Sequence, residues 1–282
     1  MSLQSFAQAV ERDDPRIDLA QACLLIAQDA YPALDVERYL GDIERMALRL
    51  RARMPQTSAA EERIEALNEF LFDDLGYRGN ADDYYDPRNS YLNDVLERKT
   101  GIPITLSVLY MEIGRRVGLP LEGVSFPGHF LVRVQVRGGV IVLDPFAGGA
   151  PQSEADLRSR LKRVIPEGVA EDVPVAELPL DQFLEPASKR QILVRLLRNL
   201  KAIYRQLDKP QRMLEVLNLM LVLTPEAAAE LRDRAYVYQS LECWQPALKD
   251  FTEYLEREPD APDLDDVRVR MIELRTLCAR MS

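Results

Sequence analysis

The chain has 282 residues, of which 47% are hydrophobic and 29% charged, a composition that excludes disordered and collagen-like classes and suits one to two globular domains. Its 46 acidic residues outnumber 36 basic ones, and a formal charge of −10 opposes general binding to nucleic acid or to an anionic membrane surface. Cys23, Cys243 and Cys278 form no CxxC pair, the first residues lack a basic-then-apolar leader, and no run approaches the ~18 apolar residues of a membrane span, so reduced thiols and a cytoplasmic location are expected.

The first half reads as helices. Leu40, Ile43, Ala47 and Leu50 recur at the 3.6-residue period. Ser58-Ala-Ala-Glu61 has the form of a capping box, Ile64, Leu67, Leu71 and Leu75 make one apolar stripe, and Gly76 is placed to end that helix in a left-handed turn. Gly79 to Asn89 carries turn chemistry, and Asn89 or Ser90 is positioned to cap a helix through Arg98. The next helix starts at Pro103, since proline suits the first helical position; Ile104, Val108, Met111 or Ile113, and Val117 give it a buried side, and Gly118-Leu119-Pro120 stops it. Leu121–Phe126, His129–Val136 and Val140–Asp144 then read as strands, the last two a hairpin turning at Gly138-Gly139, and Ser153 with Asp156 opens a short helix ending near Val164.

Pro166, Pro174, Pro179 and Pro186 mark residues 165–187 as a linker, which divides the chain into a core of residues 1–164 and a helical region of residues 188–282. The helical region repeats every 34 residues: Tyr204 maps on Tyr238, Leu207 on Leu241, Leu214 on Leu248, Leu217 on Phe251, Leu221 on Leu255 and Pro225 on Pro259. That period, with aliphatic anchors and a closing proline, is the signature of tetratricopeptide helix pairs, which need a capping helix, expected over residues 263–280.

His129 is the only histidine, and Asp144 ends the strand that follows it. A carboxylate on a neighbouring strand can hold an imidazole by its Nδ1 proton for acid–base work. A two-residue turn at Gly138-Gly139, however, sets Asp144 opposite Arg133, so for the pair to meet the hairpin apex must lie near Val136-Arg137, through a wider loop or a bulge. Tyr84, Tyr85, Tyr91 and Tyr110 flank the expected cleft in sequence, and Asp82, Asp83 and Asp86 form an acidic loop without the DxDxDG spacing of a calcium site. No phosphate-binding glycine loop and no metal-ligand cluster is present, so neither a metal nor a cofactor is expected.

The blocks Asn89-Ser-Tyr-Leu-Asn-Asp-Val-Leu, Arg98-Lys-Thr-Gly-Ile-Pro-Ile-Thr-Leu-Ser-Val-Leu-Tyr, Gly118-Leu-Pro, Phe126-Pro-Gly-His-Phe-Leu-Val-Arg and Leu143-Asp-Pro-Phe resemble the SirB-type bacterial regulator family. That family is similar to transglutaminase-like proteins followed by tetratricopeptide repeats. The resemblance implies an α+β fold: a mainly helical, papain-like core with a small antiparallel sheet, then an all-α repeat domain. His129 and Asp144 match the family's histidine and aspartate, whereas the place of the nucleophilic cysteine in active members falls on Pro103. Tyr85, Asn89, Pro103 and Tyr110 are the residues expected to line the cleft.

Two function classes follow. The first is a non-catalytic transglutaminase-like protein that serves as an interaction or regulatory factor, binding a protein or peptide through its repeats or its cleft. The second is a hydrolase or acyl transferase in which His129 acts as base, Asp144 orients it and the hydroxyl of Thr105 or Ser107 attacks, with oxyanion donors from the N-terminus of the central helix.

Overall fold

The computed structural model describes residues 2–54, 59–165 and 178–280. Ser58, Pro166 and Pro174 lie outside them. In chain order the helices are α1 (Ser2–Val10), α2 (Leu19–Ala30), α3 (Val36–Arg51), α4 (Ala60–Asn68), α5 (Leu92–Arg98), α6 (Pro103–Arg116), α7 (Glu154–Val164), α8 (Lys189–Gln206), α9 (Pro210–Leu223), α10 (Ala228–Ser240), α11 (Trp244–Arg257) and α12 (Leu264–Arg280). The strands are β1 (Arg78–Gly79), β2 (Thr100–Gly101), β3 (Leu121–Val124), β4 (Leu131–Val136), β5 (Gly139–Asp144) and β6 (Ala150–Pro151). This mainly helical chain with a small sheet is the α+β architecture read from the sequence.

The chain forms two compact units, Glu11–Leu196 and Met1–Val10 with Leu197–Ser282. These boundaries differ from the proline-rich stretch. Pro186 bridges Val124 of β3, the Ala187 amide donates to the Gly123 carbonyl, and Leu178, Leu180, Phe183 and Leu184 pack on a buried cluster of Val124, Phe126, Leu131, Val142, Leu157 and Leu161. Residues 178–187 therefore belong to the core, because their apolar side chains cover one face of its sheet.

In the first unit β3, β4, β5 and β6 form one antiparallel sheet, and β1 pairs in parallel with β2. Side chains alternate across a strand. Leu131 and Val142 thus share the face covered by Leu157 and Leu161 of α7, while Val132, Val134 and Leu143 occupy the other face, where α6 packs on β4. Helix α6 begins at Pro103 as expected, but every residue from Pro103 to Gly114 is buried, so it is a central helix wrapped by α2, α3, α5 and the sheet rather than an amphipathic one. The stripe Ile64, Leu67 and Leu71 is buried; after Asn68 the helix widens into a π-helical turn over Glu69–Asp74 before Gly76 ends it at φ +74°. Helix α5 starts later than expected, with Tyr91 rather than Asn89 or Ser90 at its N-cap. Ser153 and Asp156 do form the reciprocal capping box of α7.

In the second unit α10 and α11 form an antiparallel pair against α9, and α12 packs on α11 as the expected cap. The repeat equivalents Leu217 and Phe251 are both fully buried. Helix α1 packs on α9 through this unit's own contacts, with Phe6 and Val10 buried, which places residues 2–10 with the repeats and not with the core. Arg234 makes a two-pronged bond to Asp250 (2.6 and 2.9 Å) and a third to Asn218 (3.0 Å), tying α9, α10 and α11 together.

Candidate functional site

The hairpin register decides whether His129 and Asp144 meet. Val136 pairs with Gly139, so the two-residue turn is Arg137-Gly138, one position earlier than the turn read from the glycines. This register brings Asp144 level with Leu131, two residues past His129, and the side chains meet along the diagonal. Neither a wide loop nor an apex at Val136-Arg137 is needed. Nε2 of His129 lies 2.9 Å from Oδ1 of Asp144. The carboxylate thus engages Nε2 rather than the Nδ1 expected from the sequence. With the carboxylate accepting, Nε2 carries the hydrogen and the neutral ring keeps its lone pair on Nδ1.

Local chemistry explains why both residues are held there. Phe126-Pro127-Gly128-His129 is a tight turn closed by the His129 amide on the Phe126 carbonyl (3.1 Å), with proline at its second position and Gly128 at φ +68°. Arg195 of α8 clamps that turn, donating to the carbonyls of Phe126 (3.0 Å) and His129 (2.6 Å) while its guanidinium stacks on Phe130. Asp144, only 1% exposed, caps the short turn that follows it by accepting from the Phe146 amide (3.0 Å), and its Oδ2 accepts from Arg160 of α7 (2.6 Å). Asp144 lies two residues beyond Val142 on the face that α7 covers, which is why an α7 arginine reaches it. Arg160 and Arg195 carry no motif and come from segments remote from the hairpin, so sequence reasoning missed both.

The hydroxyl candidates stand elsewhere. Thr105 is buried; its Oγ1 donates to the Asn89 carbonyl (2.7 Å) and accepts from the Ile102 amide (3.1 Å), which closes the N-terminus of α6 onto the preceding loop. Ser107 is fully buried and its Oγ has no hydrogen-bond partner among the described residues. The imidazole bonds to Asp144 and to neither hydroxyl. Pro103 is buried at the first position of α6. Cys23 is buried in α2, where burial pushes its thiol well above the ordinary range, and Cys243 and Cys278 belong to the repeat unit.

The four residues expected to line the cleft divide. Tyr85 is exposed. Tyr110 is fully buried, donates to Oδ1 of Asn68 (2.8 Å) and stacks on Phe72, so it is core and not a cleft wall. Tyr91 is buried against Tyr31. Asn89 is fully buried too; its side chain donates to the carbonyls of Asp83 (2.7 Å) and Tyr84 (3.4 Å) and shapes the acidic loop from within. The aromatic residue beside the imidazole is instead Phe146, edge-on at 6.0 Å. Its ring also lies 2.6 Å from where a Cβ on Gly79 would stand, so only glycine fits there. Gly79 pairs with Gly101, and two residues on α6 opens at Pro103. Among the described residues no three metal-binding side chains converge. A cavity of about 390 Å³ is walled by Asp14, Glu112, Arg115, Glu122 and Lys189, and none of the His129 site residues lines it.

Asp144 at the strand end holds His129, and the turn that follows it sets Phe146 against Gly79, whose partner Gly101 stands two residues before α6. Residues 37–198 match the transglutaminase-like superfamily, and residues 200–271 match the tetratricopeptide repeat. A UPF0162 protein of Xylella fastidiosa is 42% identical over 93% of this chain and 92% of its own length. The chain belongs to the UPF0162 family, within the transglutaminase-like superfamily. It is also similar to the F-box only protein 21 of Pongo abelii, 30% identical over 68% of this chain and 31% of that protein. Among solved structures it is similar to menin, with a TM-score of 0.42 and 10% identity over 89% of this chain and 69% of that one, a likeness that carries no functional weight. His129 and Asp144 both lie within the transglutaminase-like match, and the tetratricopeptide match follows it. No described helix is long and apolar enough to cross a membrane.

Proposed function

We propose that this UPF0162 member is a non-catalytic transglutaminase-like protein, acting in the cytoplasm as an interaction or regulatory factor for a protein or peptide partner. The observation that carries this reading is Pro103. The residue at the opening of the central helix has neither a nucleophilic atom nor an N–H, and its ring is buried. A histidine–carboxylate pair without a nucleophile cannot begin acyl transfer. The regulatory role rests on the SirB-type resemblance, and the partner-binding role on the tetratricopeptide repeats, which present surfaces to other proteins. The acidic balance favours a protein partner over nucleic acid or a membrane surface.

The hydroxyl-nucleophile alternative draws little support, because Thr105 is engaged as a helix cap and the imidazole touches neither hydroxyl. Treating the full-length chain and a His129→Ala variant with serine- and cysteine-directed electrophiles tests the proposal. Equal background labelling of both is expected. Modification of Thr105, Ser107 or a cysteine that disappears with His129→Ala overturns it.

A further inference from the structure

An aromatic surface runs outward from the imidazole. Phe146 meets His129 edge-on, Tyr84 packs edge-on against Phe146 (6.4 Å), and Tyr85 packs edge-on against Tyr84 (5.4 Å). The series ends in solvent: Tyr84 is 36% and Tyr85 56% exposed, and both follow the exposed Asp82 and Asp83. The loop is built rather than loose. Asn89 holds the carbonyls of Asp83 and Tyr84 from beneath, its Oδ1 accepts from Asn80 Nδ2 (3.2 Å), and Asn80 Oδ1 accepts from the Asp83 amide (3.0 Å).

Charge gives this surface a preference. The third acid of the loop, Asp86, is buried and draws in the neighbouring cations: Arg88 (2.8 Å) and Arg98 (3.2 Å) both pair with it. Asp82 and Asp83 form no ion pair among the described residues. The exposed Asp82 and Asp83 thus lie within three residues of the exposed Tyr85 on one hydrogen-bonded loop. A guanidinium can lie flat on a tyrosine face while its N–H groups meet a carboxylate, and a rigid platform reduces the ordering cost of binding.

We propose that Asp82, Asp83 and Tyr85 form a docking site for an arginine-bearing basic segment of a partner protein. This names the partner chemistry for the cleft end of the interaction reading above and rests on that reading. The full-length chain titrated at physiological salt with a fluorescent octapeptide of alternating arginine and glycine tests it. Tyr85→Ala and the pair Asp82→Asn with Asp83→Asn each weaken binding about tenfold, whereas Tyr85→Phe, which keeps the ring, stays within about twofold. The exposed pair Asp265→Asn with Asp266→Asn on α12 reports general attraction to the acidic chain and also stays within about twofold.

The site is overturned if Tyr85→Ala leaves affinity unchanged, if the α12 pair weakens it equally, or if the native chain does not bind the peptide. Mass spectrometry of the recovered peptide separates this failure from that of the broader reading. An unaltered mass is expected; a change in mass that requires His129 contradicts the non-catalytic reading, whatever the role of Tyr85.

Discussion

The opening of α6 and the hairpin corner at His129 differ in what their polar groups do. At the corner every polar group serves the imidazole: Asp144 holds Nε2, Arg160 holds Asp144, and Arg195 holds the turn that presents the ring. At the helix opening every polar group serves the fold: Pro103 fills the first position, Thr105 closes the helix onto Asn89, and Ser107 is sealed inside. The difference teaches that a histidine–aspartate pair can be held by contacts that also build the fold. Asp144 caps the turn at Phe146 and pairs with Arg160 as well as accepting from the imidazole.

The comparison breaks first at Asp144. Asp144→Ala leaves Arg160 and the imidazole without their acceptor and uncaps the turn at Phe146, at a cost of about 3 kcal/mol in urea unfolding. An unchanged midpoint would mean that the corner is not structural. A smaller effect separates the two hydroxyls of α6. Thr105→Val removes the hydroxyl shared by the Asn89 carbonyl and the Ile102 amide and leaves them only their 3.3 Å bond to each other, costing about 1 kcal/mol.

A third, local effect concerns the loop beneath Tyr85. Burial alone raises the carboxyl of Asp86, but the bonds from Arg88 and the charge of Arg98 outweigh it and hold the group below its ordinary range. A depressed folded value means that the stabilisation is present above the unfolded pKa of about 3.9 and is lost as pH falls from there through the folded value. The ring resonances of Tyr84 and Tyr85 therefore stay constant from neutral pH down to about pH 4 and shift only below it; a transition between about pH 5 and 7 would contradict this pairing. The smallest effect is at Ser107, where Ser107→Ala removes a hydroxyl without a hydrogen-bond partner among the described residues and leaves stability within about 0.5 kcal/mol. A clear loss there would reveal a partner for that oxygen.

Much of this was legible in the sequence. The period of Ile43, Ala47 and Leu50, the proline opening α6, the Ser153 capping box and the 34-residue repeat are local signals, and local hydrogen bonding and burial realise them directly. His129 with Asp144 was also legible, though not its register, since Arg137-Gly138 and Gly138-Gly139 are both plausible turns and one residue decides which side chains oppose. The failures are long-range. Tyr110 and Tyr85 look alike in sequence, yet Asn68 and Phe72 bury the first and solvent meets the second. Arg160 and Arg195 acquire their roles only when α7 and α8 fold back on the sheet. The proline-rich stretch marks where helices stop, and that is a different property from where a compact unit ends.

The most direct test places a sulfur where the pyrrolidine ring now sits. If His129 faces the opening of α6, as the proposed function holds, Pro103→Cys carries a thiol whose pKa, read by the pH dependence of iodoacetamide alkylation, is higher when His129→Ala is added, because a nearby imidazolium favours the thiolate. Identical thiol pKa values in the single and double variants would contradict it, since position 103 would then not be the missing half of the site.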